Sequence, residues 1–188
     1  MSKTKAGLTG KQILRECISL ILYIGIILLT VFLILNFVGQ RTHVKGSSME
    51  PTFSNGDNLI VDKISYRFRD PQRYDIIVFP YQYEKKKYYI KRIIGLPGER
   101  VRIDEAGTIY INGTALEESY GLEVIEDPGT AAQEITLGDD EYFVLGDNRN
   151  YSSDSRSPDV GPIKRDSIIG RAWLKIYPFD EIGFVKHQ

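Results

Sequence analysis

Two short segments of the chain contain residues suited to nucleophilic catalysis by a serine. Ser48 lies in the loop-like segment Gly46–Thr52, and Lys91 lies in the apolar segment 89–94. A serine hydroxyl becomes an effective nucleophile when a neighbouring base takes its proton. Lysine can be that base only as the neutral amine, and its usual pKa is about 10.4. Because burial disfavours the ammonium form, a buried lysine beside the serine would supply a base near neutral pH.

The residues around Lys91 alternate as in a β-strand, and this pattern determines its neighbours. Successive residues of a strand point to opposite faces, so Lys91 shares a face with Tyr89 and Ile93. A lysine that protects an edge strand from aggregation would give the same pattern. The segment around Ser48, with the sequence Ser-Met-Glu-Pro-Thr, favours the catalytic interpretation.

A run without formal charge, Cys17–Gln40, is long enough to cross a bilayer. As a helix it would be about 36 Å long, compared with about 30 Å for the apolar core of a bilayer. Its centre is apolar on every face, whereas a soluble helix would have a polar stripe. The run is longer than the apolar part of a secretory signal and ends at Arg41 without a small-residue cleavage site. We therefore expect an uncleaved anchor.

Basic residues flank this run unequally and predict its orientation. Those before it are Lys3, Lys5, Lys11 and Arg15, and those close behind it are Arg41 and Lys45. The excess on the N-terminal side favours an N-terminus in the cytoplasm. The predicted division is a cytoplasmic tail over 1–16, a transmembrane helix over 17–40 and an extracytoplasmic domain over 41–188. The last is long enough to form one hydrophobic core.

The domain after the anchor is predicted to be mostly β, with antiparallel sheet. Its candidate strands are rich in Ile, Val, Tyr and Phe and are bounded by Gly, Pro, Asn and Asp. They are Asn58–Lys63, Asp75–Pro80, Tyr88–Gly95, Arg100–Asp104, Thr108–Ile111, Glu141–Leu145 and Ile168–Tyr177. Asn112-Gly113 between extended runs predicts a hairpin turn. The charged stretch 83–88 is predicted to be a solvated hairpin tip, and the acidic stretch 117–138 an irregular connection.

Three motifs behind one membrane-length segment resemble the bacterial type I signal peptidase family, in its short single-span form. They are Gly46–Thr52, Tyr89–Gly98 and the polar segment Gly146–Arg156. The family consists of membrane-anchored serine proteases with a Ser–Lys dyad. Its nucleophile is the serine immediately before methionine, which selects Ser48, and its base corresponds to Lys91.

The resemblance also implies roles for the third motif, whose composition alone would indicate only a polar turn. Ser152 matches the serine that hydrogen-bonds the lysine amine and orients it. Asp154 and Arg156 match residues that hold the segment in shape, as an ion pair. Asp147 is expected to pair with Arg92 in the same structural role.

The substrates that the resemblance implies are signal peptides of translocated preproteins, cleaved after small residues at the outer surface of the cell membrane. Val44 and Ile90 flank the catalytic residues and are predicted to line shallow apolar substrate pockets. Met49 and Phe53 would be core residues or membrane contacts, and the resemblance implies contact with the lipid bilayer.

The oxyanion site is only partly specified by the sequence. The backbone N–H of Ser48 is the natural first donor to the developing negative oxygen. Some family members add a hydroxyl from a serine two residues before the nucleophile. That position is Gly46 here, so the second donor stays open between a water, another backbone N–H and none.

The composition excludes several other functions. With 24 Lys and Arg against 25 Asp and Glu, the chain has a net charge of −1, which gives no basic surface for nucleic acid. Its single cysteine, Cys17, excludes an intramolecular disulfide. Two histidines argue against a histidine-rich metal site, and we expect no metal and no cofactor.

Two alternatives to a signal peptidase remain at this point. A self-cleaving Ser–Lys protease would share the dyad chemistry, but such proteins are cytosolic and the anchor argues against one. A membrane-tethered, non-catalytic β module that binds envelope partners would keep its function after loss of Ser48 or Lys91.

Overall fold

The structure, a computed structural model, describes residues 10–33, 39–84 and 86–186, and the chain divides into two compact units, 1–38 and 39–188. The first unit contains the helix α1 (Gly10–Leu33). Within the described residues, α1 is the one helix long and apolar enough to cross a membrane, with a mean hydropathy of 2.1 over Gly10–Phe32. Its apolar side chains, such as Ile21 and Leu28, are exposed.

The helix begins before the charge-free run that the sequence analysis identified. Lys11, Gln12 and Arg15 are good helix formers, so the helix extends through them although they are polar. Residues 34–38 lie outside the described residues, as do Lys3 and Lys5, on which the predicted orientation partly rests.

The second unit begins with a strand rather than with the end of the helix. Gly39 and Gln40, which the charge-free run included, pair with Asp62 and Val61. The strands of this unit are β1 (Gly39–His43), β2 (Asn58–Asp62), β3 (Ile76–Pro80), β4 (Tyr88–Gly95), β5 (Arg100–Ile103), β6 (Ile109–Ile111), β7 (Thr114–Ala115), β8 (Ile135–Thr136), β9 (Glu141–Leu145), β10 (Ile163–Lys164), β11 (Gly170–Tyr177) and β12 (Gly183–Phe184).

The strands form two antiparallel sheets. The larger has the order β1-β2-β11-β3-β4-β9-β10, with β12 paired to β11, and the smaller has the order β7-β6-β5-β8. The predicted mostly β, antiparallel fold is therefore confirmed. The bounds of β4 and β9 are those predicted, and the Asn112-Gly113 turn joins β6 to β7 with positive φ at both residues.

The short strands were not predicted. Strand β8 lies in the stretch 117–138 that was expected to be irregular, and it pairs with β5. A strand of two residues has no measurable alternation, so its sequence gives no signal. Strand β1 escaped prediction because its first residues continue an uncharged run.

Strand β4 positions the site because its two halves have different neighbours. Strand β3 pairs with Tyr88–Arg92, whereas β9 pairs only with Arg92, Ile93 and Gly95. Among the described residues, the segment 88–91 therefore has a ladder partner on the β3 side alone. Its other edge is available to side chains and to an extended peptide.

Candidate active site

The loop between β1 and β2 holds Ser48 in a hydrogen-bonded turn. The Val44 N–H donates to the Asp57 carbonyl at 2.9 Å, and the Glu50 N–H donates to the Ser47 carbonyl at 3.1 Å. Gly46 has a φ of +91°, a conformation that disfavours any side chain. The loop thus favours glycine two residues before Ser48.

Strand β4 brings Lys91 to this turn. The Lys91 side chain is 3% exposed, and its Nζ lies 2.7 Å from Ser48 Oγ. Nζ also donates to the Ile90 carbonyl at 3.1 Å and lies 5.2 Å from the centre of the Tyr89 ring. The amine and the hydroxyl are therefore in direct contact, with the amine buried.

The surroundings of the amine favour its neutral form. Burial lowers the pKa of Lys91 from 10.5 to about 8, although the negative charges of Asp154 and Asp147 oppose this shift. At that pKa a substantial fraction of the amine is neutral at mildly alkaline pH, and only a neutral amine can accept the serine proton.

A buried ion pair behind the nucleophile connects all three motifs. Asp147 accepts hydrogen bonds from Arg92 Nε at 2.8 Å and Arg92 Nη2 at 2.6 Å, and also from Thr52 Oγ1 at 2.5 Å. The side chains of Arg92 and Asp147 are 1% and 0% exposed. This junction fixes β4, the end of β9 and the turn after Ser48 to one another.

A second buried ion pair shapes the segment after β9. Arg156 Nε donates to Asp154 Oδ1 at 2.9 Å and Arg156 Nη2 donates to Asp154 Oδ2 at 2.9 Å. Asp154 Oδ2 also accepts the Gly146 N–H at 3.1 Å. The structure forms both pairs that the sequence analysis expected in this segment.

Ser152 does not form the hydrogen bond to the Lys91 amine that the family resemblance implies. Its Oγ is buried and has no hydrogen-bond partner among the described residues. A Cβ built on Gly146 would lie 2.2 Å from Ser152 Oγ and 2.4 Å from the Ser48 carbonyl oxygen. Ser152 thus packs against the glycine that approaches the nucleophile, while Lys91 bonds Ser48 and Ile90 instead.

Met49 and Phe53 are core residues, which corrects the expectation that they contact lipid. They are 2% and 1% exposed and pack in one cluster with Val44, Leu59 and Val61. The Phe53 N–H donates to the Met49 carbonyl at 2.8 Å, so the chain turns inward after Ser48. This turn carries both side chains into the interior.

A cleft of about 770 Å³ opens in front of Ser48 and Lys91. One wall consists of residues 40–49, and the other contains the free edge of β4 with Tyr89 and Ile90. Val44 and Ile90, the residues expected to line substrate pockets, both lie in this lining and are nearly buried.

Comparison with known proteins identifies the family of the chain. The model of the family described as signal peptidase, peptidase S26, matches residues 17–177. The chain belongs to this signal peptidase family. The membership that the three motifs indicated is thereby confirmed, and the chain is an enzyme, a peptidase of the signal peptidase I type.

Individual signal peptidases resemble the chain over most of its length. A probable signal peptidase I-2 of Synechocystis sp. is 42% identical over 154 residues, which cover 79% of this chain and 68% of the relative. Signal peptidase I P of Bacillus subtilis subsp. natto is 36% identical over 169 residues, covering 86% and 89%. A crystal structure of a signal peptidase I from Enterococcus faecalis is 38% identical and covers 55% of this chain and 97% of its own, with a TM-score of 0.46.

Two residues without a predicted role also lie at the candidate site. Thr52 bonds Asp147, and Asn148 bonds the backbone of the nucleophile turn. Both residues lie inside the motifs given above, and this position is the signal in the sequence that pointed to them. In the described parts of the chain, no group of three or more His, Cys, Asp or Glu side chains is arranged to hold a metal ion.

Proposed function

We propose that this chain removes signal peptides from translocated preproteins, with Ser48 as the nucleophile and Lys91 as the general base. The observation that carries the proposal is the 2.7 Å contact between Ser48 Oγ and the Nζ of a lysine that is 3% exposed. A structural lysine would instead pair with a carboxylate or extend into solvent.

The first chemical step forms an acyl-enzyme. Ser48 Oγ attacks the carbonyl carbon of the scissile bond while its proton passes to the neutral Lys91 amine. The resulting oxyanion collapses, the C–N bond breaks, and the Lys91 ammonium gives its proton to the departing amine. The signal peptide is then esterified to Ser48, and the N-terminus of the mature protein is free.

The second step returns the enzyme to its starting state. A water attacks the ester carbon while Lys91 takes one of its protons. Collapse of this second oxyanion breaks the bond to Ser48 Oγ, which recovers a proton from Lys91. The products are the signal peptide with a carboxyl terminus and the unchanged dyad.

The backbone N–H of Ser48 is suited to stabilise both oxyanions. Among the described residues it donates no hydrogen bond, although the neighbouring turn is well bonded. A donor that is fixed in position and unoccupied before the reaction contributes most to stabilising charge as it develops.

Substrate recognition follows from the two walls of the cleft. An extended peptide can add to the free edge of β4 through backbone hydrogen bonds, as peptides commonly do at sheet edges. Val44 and Ile90 then restrict the side chains next to the scissile bond to small residues. The enzyme would thus select its substrates by the size of these side chains rather than by one particular sequence.

The N-terminal helix is the membrane anchor of the enzyme. Helix α1 holds the enzyme in the cell membrane, with the N-terminus in the cytoplasm and residues 39–188 outside. Tethering raises the effective concentration of enzyme at the bilayer, where preproteins emerge.

Protease added to intact spheroplasts tests the topology. The domain should be digested like an external control protein, and complete protection of the domain would contradict the orientation.

Cleavage of a preprotein by the purified full chain in detergent tests the function itself. The expected products, identified by mass spectrometry, end after a small residue at the signal-peptide junction. Absence of cleavage by folded protein, with several preproteins, would contradict the proposed removal of signal peptides.

A further inference from the structure

Asn148 contacts the backbone of the nucleophile turn at two successive peptide groups. Its N–H donates to the Ser48 carbonyl at 3.1 Å. Its side-chain Nδ2 donates to the Ser47 carbonyl at 3.2 Å. Asn148 is nearly buried, and it follows Asp147, which is held by Arg92 and Thr52. The amide thus reaches the turn from a rigid support.

The contact with the Ser47 carbonyl also determines the direction of the Ser48 N–H. These two groups belong to one peptide unit, which is planar and trans, so they point in opposite directions. The turn itself supplies one bond to the Ser47 carbonyl, from the Glu50 N–H at 3.1 Å. The bond from Asn148 Nδ2 is the second, and it restricts the remaining rotation of the peptide plane.

Among the described residues, the Asn148 side chain forms its hydrogen bond through Nδ2. Its Oδ1 is buried and has no hydrogen-bond partner in the described part of the chain. Oδ1 thus adds no second contact to fix the orientation of the amide group. In the described part of the chain, the bond to the Ser47 carbonyl is therefore the hydrogen bond that orients this amide.

We propose that Asn148 is a positioning residue that directs the Ser48 N–H toward the oxyanion. This inference rests on the proposed function. Gly46, two residues before Ser48, has no hydroxyl to assist, so more of the stabilisation falls to the Ser48 N–H. Small rotations of the Ser47–Ser48 peptide are therefore costly for the transition state and nearly neutral for substrate binding.

Two substitutions remove the side-chain bond in different ways. Asn148→Asp keeps the shape and replaces the Nδ2 donor with an acceptor, whereas Asn148→Ala removes the donor without adding charge. The matched control is Asn150→Asp, in the same segment. Asn150 Nδ2 bonds the Val124 carbonyl at 2.9 Å, away from the nucleophile turn.

The readouts separate positioning from structural damage. In both Asn148 variants we expect kcat for preprotein cleavage to fall about 10- to 100-fold, with KM within about twofold of wild type. The Ki of a peptide boronic acid, whose adduct with Ser48 mimics the tetrahedral intermediate, should rise by the factor by which kcat/KM falls. The midpoint of the pH profile should not move in Asn148→Ala, because Lys91 keeps the same charged neighbours, whereas the added carboxylate of Asn148→Asp can move it only to higher pH. Asn150→Asp should match wild type in all three measurements.

Several outcomes would overturn the positioning role. They are an unchanged kcat in folded Asn148 variants, a rise in KM without loss of kcat, or weaker cleavage with unchanged boronic acid binding. If Asn148→Asp does not fold, as judged by circular dichroism, Asn148→Ala decides. An inactive wild type would overturn the proposed function, whereas fully active Asn148 variants beside an active wild type would overturn only the inference about Asn148.

Discussion

Lys91 and Arg92 are adjacent in β4 and almost equally buried, but their electrostatic surroundings are opposite. Arg92 has a carboxylate partner, with Asp147 at 2.6 Å. Lys91 has a hydroxyl and a carbonyl as its hydrogen-bond partners, and among the described residues it forms no ion pair. The alternation of the strand separates the two side chains onto opposite faces. Under the proposed function, burial with a counter-charge makes Arg92 a structural cation, and burial without one makes Lys91 the base.

Strand β4 can carry both Lys91 and Arg92 because Arg92 holds the strand in place beside Ser48. The paired Arg92 ties β4 to Thr52 and so to the nucleophile turn, which fixes the distance between Ser48 and Lys91. The carboxylates of Asp147 and Asp154 raise the pKa of Lys91 only through space, and desolvation outweighs them. A carboxylate in direct contact with Lys91 would keep the amine charged.

The largest effect is expected from removing either member of the dyad. Ser48→Ala and Lys91→Ala should each lower kcat/KM for preprotein cleavage about 1,000-fold or more, because nucleophile and base act as a unit. Ser47→Ala is the control and should retain substantial activity, since its exposed hydroxyl has no part in the chemistry. Full activity in either dyad variant, with the domain folded, would contradict the assignment.

Breaking the ion pair between Arg92 and Asp147 tests the structural role of Arg92. Asp147→Ala leaves Arg92 buried without a counter-charge and should lower the free energy of unfolding by about 3–5 kcal/mol. Urea unfolding followed by circular dichroism measures this loss. The control is Glu84→Ala, which removes the exposed ion pair with Lys87 and should change stability by less than about 1 kcal/mol. Equal free energies of unfolding for Asp147→Ala and Glu84→Ala would show that the buried pair stabilises the domain no more than the exposed pair does.

The sequence predicted the residues of this comparison better than their surroundings. Ser48 and Lys91 lie in motifs with fixed spacing, and the alternation of 88–95 placed Lys91 and Arg92 on opposite faces. Met49 and Phe53 were misassigned because an apolar residue beside a loop nucleophile has the same pattern whether it faces lipid or core. The bond from Asn148 to the nucleophile turn depends on contacts between segments about 100 residues apart, which no local pattern contains.

Replacing Lys91, which has no carboxylate partner among the described residues, should increase the stability of the domain. The pKa of Lys91 is about 8 in the folded state and near 10.5 unfolded, so its burial destabilises the domain fully below pH 8. The cost declines as pH rises from 8 to 10.5, because folding no longer has to bury a charge. Lys91→Met should thus be more stable than wild type by up to about 3 kcal/mol at pH 7, with a smaller difference at pH 10. A difference that is independent of pH would contradict the burial of a titrating amine.

The smallest effect is expected at Ser152. Its hydroxyl packs beside Gly146 and does not bond the amine, so its role is to support the geometry and not to react. Ser152→Ala should reduce kcat by at most about 10-fold, much less than the dyad variants, because the site loses packing beside Gly146 and no hydrogen bond to the amine. Steady-state cleavage kinetics with a melting curve as the control measure this. Wild-type turnover would assign Ser152 to packing alone.

The dependence of kcat/KM on pH tests the central claim most directly, because it reports the protonation state of the free enzyme's base. Preprotein cleavage by the full chain in detergent should be measured from pH 6 to pH 10, with the folded fraction followed at each pH. We expect kcat/KM to rise with an apparent pKa of about 8 and then to level off, as the Lys91 amine becomes neutral. A rate that falls steadily between pH 6 and pH 9 while the protein stays folded would contradict a lysine base.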